Sequence, residues 1–278
     1  MNSMQLKDKL RNISKEKNVD FNTLLRLYMY DRFIERLAIS KYSDNFILKG
    51  GFYLSTLFGI ENRTTMDIDA AIIKTNFTKD ATRKMIKDIV SIDIDDNANL
   101  SYLGIVPIRD EDEYGGFRVN IEVQIENVKE KFHVDVATGD PITPKEIRYK
   151  YKPILGKKHI NLWAYNIETV LAEKLETILS RSELNGRMRD FYDVYLIYTK
   201  DWNNINIDNF KKALDKTFYK REYAGKPFVT IDLIRDSNLI RSRWKTYQRK
   251  YEYAKDISFD DILNCIEKMM EQRDPVVV

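Results

Sequence analysis

The chain has 278 residues, of which 43% are hydrophobic and 32% charged. Such a composition can bury a core and excludes disorder along the whole chain. No window approaches the run of about 18 apolar residues that a membrane span needs. Residues 1–20 mix charges without an apolar stretch, so we expect no signal peptide. The single cysteine, Cys265, excludes an intramolecular disulfide and a cysteine-based zinc cluster. We therefore expect a cytoplasmic protein without a membrane partner.

The first half alternates between helical and strand patterns. We predict helices over residues 4–18, 21–40, 52–58 and 78–90, the last capped by Thr78. We predict strands over residues 46–48, 66–73, 117–125 and 132–137. Residues 93–113 form a loose segment with acidic clusters, and residues 126–131 suit a hairpin connection.

The spacing of apolar residues predicts that the second half is helical. Pro141, Pro144 and Pro153 mark a linker-like stretch, and the helical periodicity then covers residues 167–181, 188–199, 208–217 and 258–272. Cys265 lies on the apolar face of the last segment and is predicted to be buried. We predict two domains, residues 1–155 with an α+β fold and residues 156–278 with a helical fold.

A glycine pair and two aspartates form the most informative motif. Gly50-Gly51 separates a predicted strand from a predicted helix, which lets the backbone approach a phosphate at the helix N-terminus. Asp67 and Asp69 alternate with apolar residues, so both carboxylates project from one face of a strand. Paired carboxylates of this kind bind Mg²⁺, which takes its other ligands from water and triphosphate oxygens. The motif thus indicates metal-dependent phosphoryl transfer.

A third carboxylate follows in the predicted hairpin. Asp135 shares a strand face with His133 and lies opposite the apolar residues Phe132, Val134 and Val136. If this strand neighbours the strand of Asp67 and Asp69, Asp135 joins them as a third metal ligand. A hydrogen-bonded structural aspartate is the open alternative, and we interpret His133 as a structural neighbour.

Each part of the motif has an ordinary explanation when it is taken alone. Gly50-Gly51 could be a simple turn, and Asp93-Ile94-Asp95-Asp96 repeats the aspartate spacing without an upstream glycine pair. We interpret residues 92–99 as a solvated turn. The combination of glycine pair, alternating aspartates and later strand aspartate is what favours a site.

These residues resemble a known family. Gly50-Gly51-x-x-Leu54 followed by Arg63-x-Thr65-x-Asp67-x-Asp69 is similar to the AbiEii-type nucleotidyltransferases, toxins of bacterial abortive-infection (toxin–antitoxin) systems within the polymerase-beta-like superfamily. The second half carries the matching motifs Ile167-Glu168-x-x-Leu171-Ala172-x-Lys174-Leu175 and Arg189-Asp190-x-Tyr192-Asp193. The resemblance covers residues 45–200, and the part after Asn203 is compatible with it.

The resemblance implies a fold and a set of site residues. The fold would be a polymerase-beta-like nucleotidyltransferase core, with a mixed sheet and flanking helices, followed by a helical C-terminal domain. Asp67 and Asp69 would be catalytic and hold Mg²⁺, or Mn²⁺ as the alternative. The other roles would be distributed as follows: Gly50, Gly51 and Thr65 on the triphosphate, Arg63 on the loop or a phosphate, Lys174 on the phosphates from the helical domain, and Asp190 beside Lys174 as a catalytic or orienting carboxylate. Outside this context, Arg189-Asp190 could be a surface ion pair of little energetic value.

The resemblance also implies an activity. Family members transfer a nucleotide from a nucleoside triphosphate, some of them to transfer RNA, which stops translation as part of phage defence. Their antagonist is usually a separately encoded, DNA-binding antitoxin. We therefore expect an Mg²⁺-dependent toxin that modifies RNA, with the 3′ end of tRNA as the leading acceptor.

Basic and aromatic residues of the second half favour RNA over other acceptors. Cations interleave with aromatics in residues 148–152 with Lys157 and Lys158, in residues 216–223, and in residues 241–245 with Arg249 and Lys250. Each patch alone is more typical of an ordinary solvated surface. Two alternatives stay open: a small-molecule nucleotidyltransferase of the antibiotic-modifying type, and a nucleotide-binding regulatory protein with the same fold.

Overall fold

The chain divides into two compact units. The first comprises Met1–Gly139 and Ile147–Ala164, and the second comprises Asp140–Glu146 and Tyr165–Val278. The fold comes from a computed structural model, which describes residues 1–108, 115–156 and 158–273. None of the helices in these ranges is long and apolar enough to cross a membrane.

The first unit combines a sheet with helices. Its helices are α1 (Ser3–Lys17), α2 (Phe21–Ile39), α3 (Gly50–Phe58) and α4 (Lys79–Val90). Its strands are β1 (Phe46–Lys49), β2 (Ile68–Ile72), β3 (Asn99–Pro107), β4 (Phe117–Ile125), β5 (Val128–Ala137), β6 (Ile147–Tyr151) and β7 (Ile160–Ala164). The strand order is β3-β4-β5-β2-β1-β7-β6. Because β2–β5 and β1–β7 are parallel and the other pairs antiparallel, the sheet is mixed, and β2 lies at its centre.

Aromatic side chains between α2 and the sheet form much of the core of the first unit. The ring of Tyr30 contacts Phe52 and Phe132, with centroid distances of 5.8 and 4.8 Å. Phe33 lies 6.3 Å from Phe46. All five rings are nearly inaccessible to solvent, and edge-to-face contacts of this kind add to the burial of apolar area. This packing leaves the opposite face of the central strands to carry the polar residues described below.

A buried carboxylate joins α2 to the segment around β6. Asp31 is fully buried and accepts hydrogen bonds from the Tyr151 hydroxyl and from the Ile154 backbone N–H, the latter at 2.8 Å. Burial raises the pKa of Asp31 to about 7, because a carboxylate without surrounding water favours its neutral form. The side chain therefore acts as a polar tie inside an apolar region.

Several predicted elements of the first unit are confirmed, and others are corrected. Thr78 caps α4 by accepting a hydrogen bond from the Ala81 N–H, as predicted. The prediction of a loose segment over residues 93–113 is wrong in part, because this range contains the nine-residue strand β3. Residues 109–113 lie outside the described part of the chain. The hairpin is tighter than predicted, because β4 ends at Ile125 and β5 begins at Val128. Strands β6 and β7 were not predicted.

The turn over residues 92–99 is only partly solvated. Asp93 and Asp95 are exposed, as predicted. Asp96, by contrast, accepts two hydrogen bonds of 2.8 Å from the guanidinium of Arg36, which is buried in α2. The bidentate ion pair fixes the turn to the helix. Asp96 thus has a structural explanation.

The second unit is helical. Its helices are α5 (Ile167–Arg181), α6 (Met188–Asp201), α7 (Ile207–Lys220), α8 (Pro227–Asp236), α9 (Asn238–Lys250) and α10 (Phe259–Arg273). Asn166 caps α5, and its side-chain amide also donates to the Lys145 carbonyl, which ties the segment 140–146 to this unit. Cys265 is buried in α10, as predicted, and burial raises the pKa of its thiol to about 11. Helices α8 and α9 were not predicted.

Candidate active site

The glycine pair lies at the junction of β1 and α3. Gly50 has φ +62°, a conformation that side chains disfavour, and a Cβ there would lie 2.4 Å from Asp69 Oδ2. A Cβ at Gly51 would lie 2.6 Å from the Arg63 guanidinium. Both glycines are therefore needed so that a carboxylate and a guanidinium can approach the first turn of the helix.

Asp69 is bound to this turn. It pairs in register with Lys49 of β1 and Asp135 of β5, and its Oδ2 accepts a hydrogen bond from the Gly51 N–H at 3.1 Å. Burial, reinforced by the negative charges of Asp67 and Asp135, raises the pKa of Asp69 to about 6. Like charges held close together resist simultaneous ionisation, so a bound cation would favour the charged form.

The segment before β2 positions Asp67. The Thr65 hydroxyl lies 3.0 Å from the Asp67 carbonyl oxygen and 3.2 Å from Asp67 Oδ1. Arg63 is buried and donates to the carbonyl of its neighbour Thr64. Thr65 and Arg63, for which the motif implies contact with phosphate, thus also shape the loop that holds Asp67.

Asp135 lies in β5 beside β2, as the sequence argument required. The parallel pairing of these strands brings Asp69 and Asp135 into register. Asp135 also accepts two hydrogen bonds, of 2.8 and 2.7 Å, from Arg118 on the other neighbouring strand, β4. The Arg118 side chain is 42% exposed, so an anion from solvent can reach its guanidinium group.

Asp67, His133 and Asp135 can together hold a metal ion. Each offers one ligand atom, and these atoms lie within 4.8 Å of one another. His133 Nε2 is 3.5 Å from Asp67 Oδ2, and within the described residues this buried nitrogen has no hydrogen-bond partner. Two carboxylates and an imidazole suit a divalent cation. Asp69, predicted as a ligand, is not part of this group, and its Oδ2 accepts the hydrogen bond from the Gly51 N–H.

Sequence reasoning missed two residues of this site. His133 alternates with Asp135 along β5, so its presence on the same face was visible, but a lone histidine on a strand is usually structural. Arg118 gave no signal, because its contact with Asp135 depends on the pairing of β4 with β5.

A second polar group lies in the second unit. Lys174 Nζ, on α5, is 2.7 Å from both Asp190 and Asp193 on α6. Asp193 is fully buried, and Lys174 is nearly so. Asp190 and Asp193 are three residues apart and therefore share a face of the helix. Asp193 was part of the recognised motif, but its bond to Lys174 was not predicted.

Many cations of the predicted basic patches are engaged in the structure. Arg221 bonds to Asp140 and Glu176, Arg241 pairs with Asp260 at 2.6 Å, and Arg243 donates to backbone carbonyls. Lys157 lies outside the described residues. The cations that stay exposed include Lys150, Lys152, Lys216, Lys245, Arg249 and Lys250.

The mixed sheet, the carboxylates on its central strands and the following helical unit define a nucleotidyltransferase fold. Two solved structures from Helicobacter pylori share this fold. One, provisionally described as a nucleotidyltransferase, has a TM-score of 0.55 at 15% identity and covers 91% of this chain and 96% of its own. The other, JHP933, has a TM-score of 0.54 at 15% identity and covers 91% and 94%. The expected α+β fold is thereby confirmed.

The family follows from the sequence match. Residues 32–265 match the nucleotidyl transferase AbiEii toxins of type IV toxin–antitoxin systems. The chain belongs to this family, and the match extends well beyond the residues 45–200 of the motif-based resemblance. A comparison with curated proteins finds no match.

Proposed function

We propose that this toxin-family chain transfers a nucleotide from a nucleoside triphosphate to an RNA acceptor, with the 3′ end of tRNA as the leading candidate. The observation that carries the proposal is the convergence of Asp67, His133 and Asp135 beside the Gly50-Gly51 turn. A helix N-terminus favours phosphate, and the acidic group favours a divalent cation, Mg²⁺ or Mn²⁺. Both are needed by an enzyme that handles a triphosphate.

The proposed reaction is a displacement at the α-phosphorus. The acceptor hydroxyl oxygen forms a bond to this phosphorus, the bond to the bridging oxygen breaks, pyrophosphate leaves, and the acceptor proton passes to solvent. A divalent cation held by the acidic group would neutralise charge on the phosphates. The N–H groups at the start of α3 would bind the triphosphate, and Arg118 would supply positive charge to it.

An RNA acceptor is favoured by the exposed cations of the chain, and a toxic effect by its family. Modified RNA would block translation, and a separately encoded antitoxin would oppose the effect. A small-molecule nucleotidyltransferase would share the acidic group but would not need the exposed cations. A regulatory protein would bind nucleotide without transfer.

The deciding experiment is label transfer. Purified protein is incubated with total bacterial RNA, Mg²⁺ or Mn²⁺, and each α-labelled nucleoside triphosphate. Label in a tRNA-sized band is expected for the wild type, none for Asp67→Asn, and the wild-type amount for Asp93→Asn, which changes an exposed aspartate of the similar motif. Absence of label with every nucleotide, or equal labelling by Asp67→Asn, would contradict the proposal.

A further inference from the structure

The edge strand β6 carries cations on one side only. Tyr149 and Tyr151 face α3, where their rings lie 5.2 Å from Tyr53 and 5.7 Å from Phe52. Arg148 and Lys150 alternate with these tyrosines, so they project from the opposite face of the sheet. Both are exposed. The alternation accounts for the sequence pattern, because the aromatics that pack against α3 and the exposed cations occupy the two faces of a single strand.

Strand pairing places these cations on the same face as the candidate active site. Arg148 pairs with Trp163 of β7, and Trp163 pairs in turn with Ile47 of β1. On the same strand β1, Lys49 pairs with Asp69 of β2. Paired residues share a sheet face, and Ile47 and Lys49 are two residues apart. From β2 to β6 there are three strand spacings, about 14 Å. The sheet face that carries Asp69 therefore also carries Arg148 and Lys150 at its edge, with the buried side chain of Ile47 between them.

An aromatic ring lies within this row. The Arg148 guanidinium is 3.8 Å from the centre of the Trp163 ring. Asp44 accepts a hydrogen bond of 2.7 Å from the Trp163 indole N–H and lies 3.5 Å from Arg148, which orients both side chains. Lys150 pairs with the exposed polar residue Asn161. Stacked guanidinium and indole planes are surfaces on which unpaired bases stack, and neighbouring cations bind the phosphates between those bases.

We propose that Arg148, Lys150 and Trp163 bind a single-stranded segment of the RNA acceptor. This inference rests on the proposed function and adds to it the surface along which the acceptor lies. The regular spacing of cations along β6 suits a repeating phosphate backbone, and the ring beside them suits a base, whereas an acidic protein would need only the charges.

The test measures binding, not transfer. A fluorescein-labelled single-stranded RNA is titrated with the full chain at several salt concentrations, and its anisotropy is recorded. The double variant Arg148→Gln/Lys150→Gln is compared with Lys84→Gln/Lys87→Gln, which removes the same charge from the exposed side of α4. Because each phosphate contact to a single strand contributes about 0.7 to the slope of log affinity against log salt, the first variant should lose about 1.4 in slope. The control should keep the wild-type slope.

A third variant tests the ring. Trp163→Leu should lower RNA affinity about tenfold with an unchanged salt slope, and Trp163→Phe should restore most of it. Equal salt slopes for the two double variants, or wild-type RNA affinity for Trp163→Leu, would overturn the inference. It would also be overturned by a polyglutamate peptide that binds as tightly as the RNA and depends equally on Arg148 and Lys150. RNA binding with these dependences but no label transfer would leave the surface standing and contradict the proposed function. Label transfer by a chain whose RNA binding does not depend on these three residues would support the proposed function and overturn the inference about the surface.

Discussion

His133 brings a nitrogen atom to a group that the sequence motif describes by carboxylates alone. Its Nε2 is close to Asp67, whereas Asp69 is held by the Gly51 N–H. An oxygen-only site suits Mg²⁺, while imidazole is a better ligand for transition metals. Arg118 adds a second local effect, because it competes with any cation for Asp135. In a metal-bound form, the preference for one ion over another would therefore depend on His133 and Arg118, which both lie outside the motif.

We predict that His133→Ala weakens Mn²⁺ binding more than Mg²⁺ binding. Loss of the nitrogen ligand should lower Mn²⁺ affinity about tenfold or more. Mg²⁺ affinity should change less, because Mg²⁺ prefers oxygen ligands and gains little from an imidazole. Free Mn²⁺ is measured by electron paramagnetic resonance during titration, and Mg²⁺ by its competition. The matched control is His159→Ala, since His159 is exposed. Equal Mn²⁺ affinity in the two variants would exclude His133 as a ligand.

At the scale of elements, the hydrogen bonds that link Asp31 of α2 to β6 and the following loop make the free energy of unfolding depend on pH. The pKa of Asp31 is raised to about 7 in the folded chain, above the ordinary value of 3.8. A group with a raised folded pKa binds its proton more tightly when folded. The free energy of unfolding therefore contains a favourable contribution at low pH, and this contribution is lost as the pH rises from about 4 towards 7.

We predict that Asp31→Asn removes this dependence. An amide stays neutral and can keep an acceptor for the Ile154 N–H, so the variant should gain stability relative to the wild type as the pH rises. The difference should change by up to about 1.4 kcal/mol per pH unit between pH 5 and 7. Urea unfolding at pH 5, 6, 7 and 8 measures it, with the exposed Asp8 changed to Asn as the control. Parallel pH curves for Asp31→Asn and the wild type would contradict the assignment.

The elements that sequence predicted are those whose signals are local. The Gly50-Gly51 turn, the cap at Thr78 and the periodicity of α5 each depend on residues close in the chain. Strand β3 has exposed residues on both faces, as an edge strand can, so its alternation is weak. Strands β6 and β7 have five residues each and depend on distant partners. Helix α9 is so rich in cations that its pattern indicated a basic patch.

Site residues follow the same rule. Asp67 and Asp69 could be proposed from the sequence because they alternate with apolar residues over a short stretch of the chain. The pairing of Asp135 with Arg118 requires the register of β4 and β5, and the bond from Lys174 to Asp193 requires the packing of α5 on α6. Partners chosen by tertiary contact leave no periodic trace in the sequence.

For the whole molecule, the candidate residues divide between the two units. The carboxylates and His133 belong to the first unit, and Lys174 with its two aspartates belongs to the second. The acidic group can lose a side chain at modest structural cost, because Asp67 is part-exposed. Removal of Lys174 would instead leave Asp190 and the fully buried Asp193 without their shared cation, at a cost of about 3–5 kcal/mol. Loss of function by Lys174 variants therefore needs a measurement of folding beside it.

We predict that expression of the wild-type chain arrests bacterial growth and that Asp67→Ala does not. A toxin that acts by nucleotide transfer needs its acidic group, whereas an inhibitor that acts by binding a partner needs only its surface. Growth after induction is followed with soluble protein quantified by immunoblot, and Asp93→Ala serves as the control because it changes an exposed aspartate of the similar motif. Lys174→Ala should also be harmless, but it counts only if its thermal unfolding shows a folded second unit. Arrest by Asp67→Ala at wild-type protein levels would mean that toxicity does not depend on the acidic group, and the inhibitory surface would then have to be sought elsewhere on the chain.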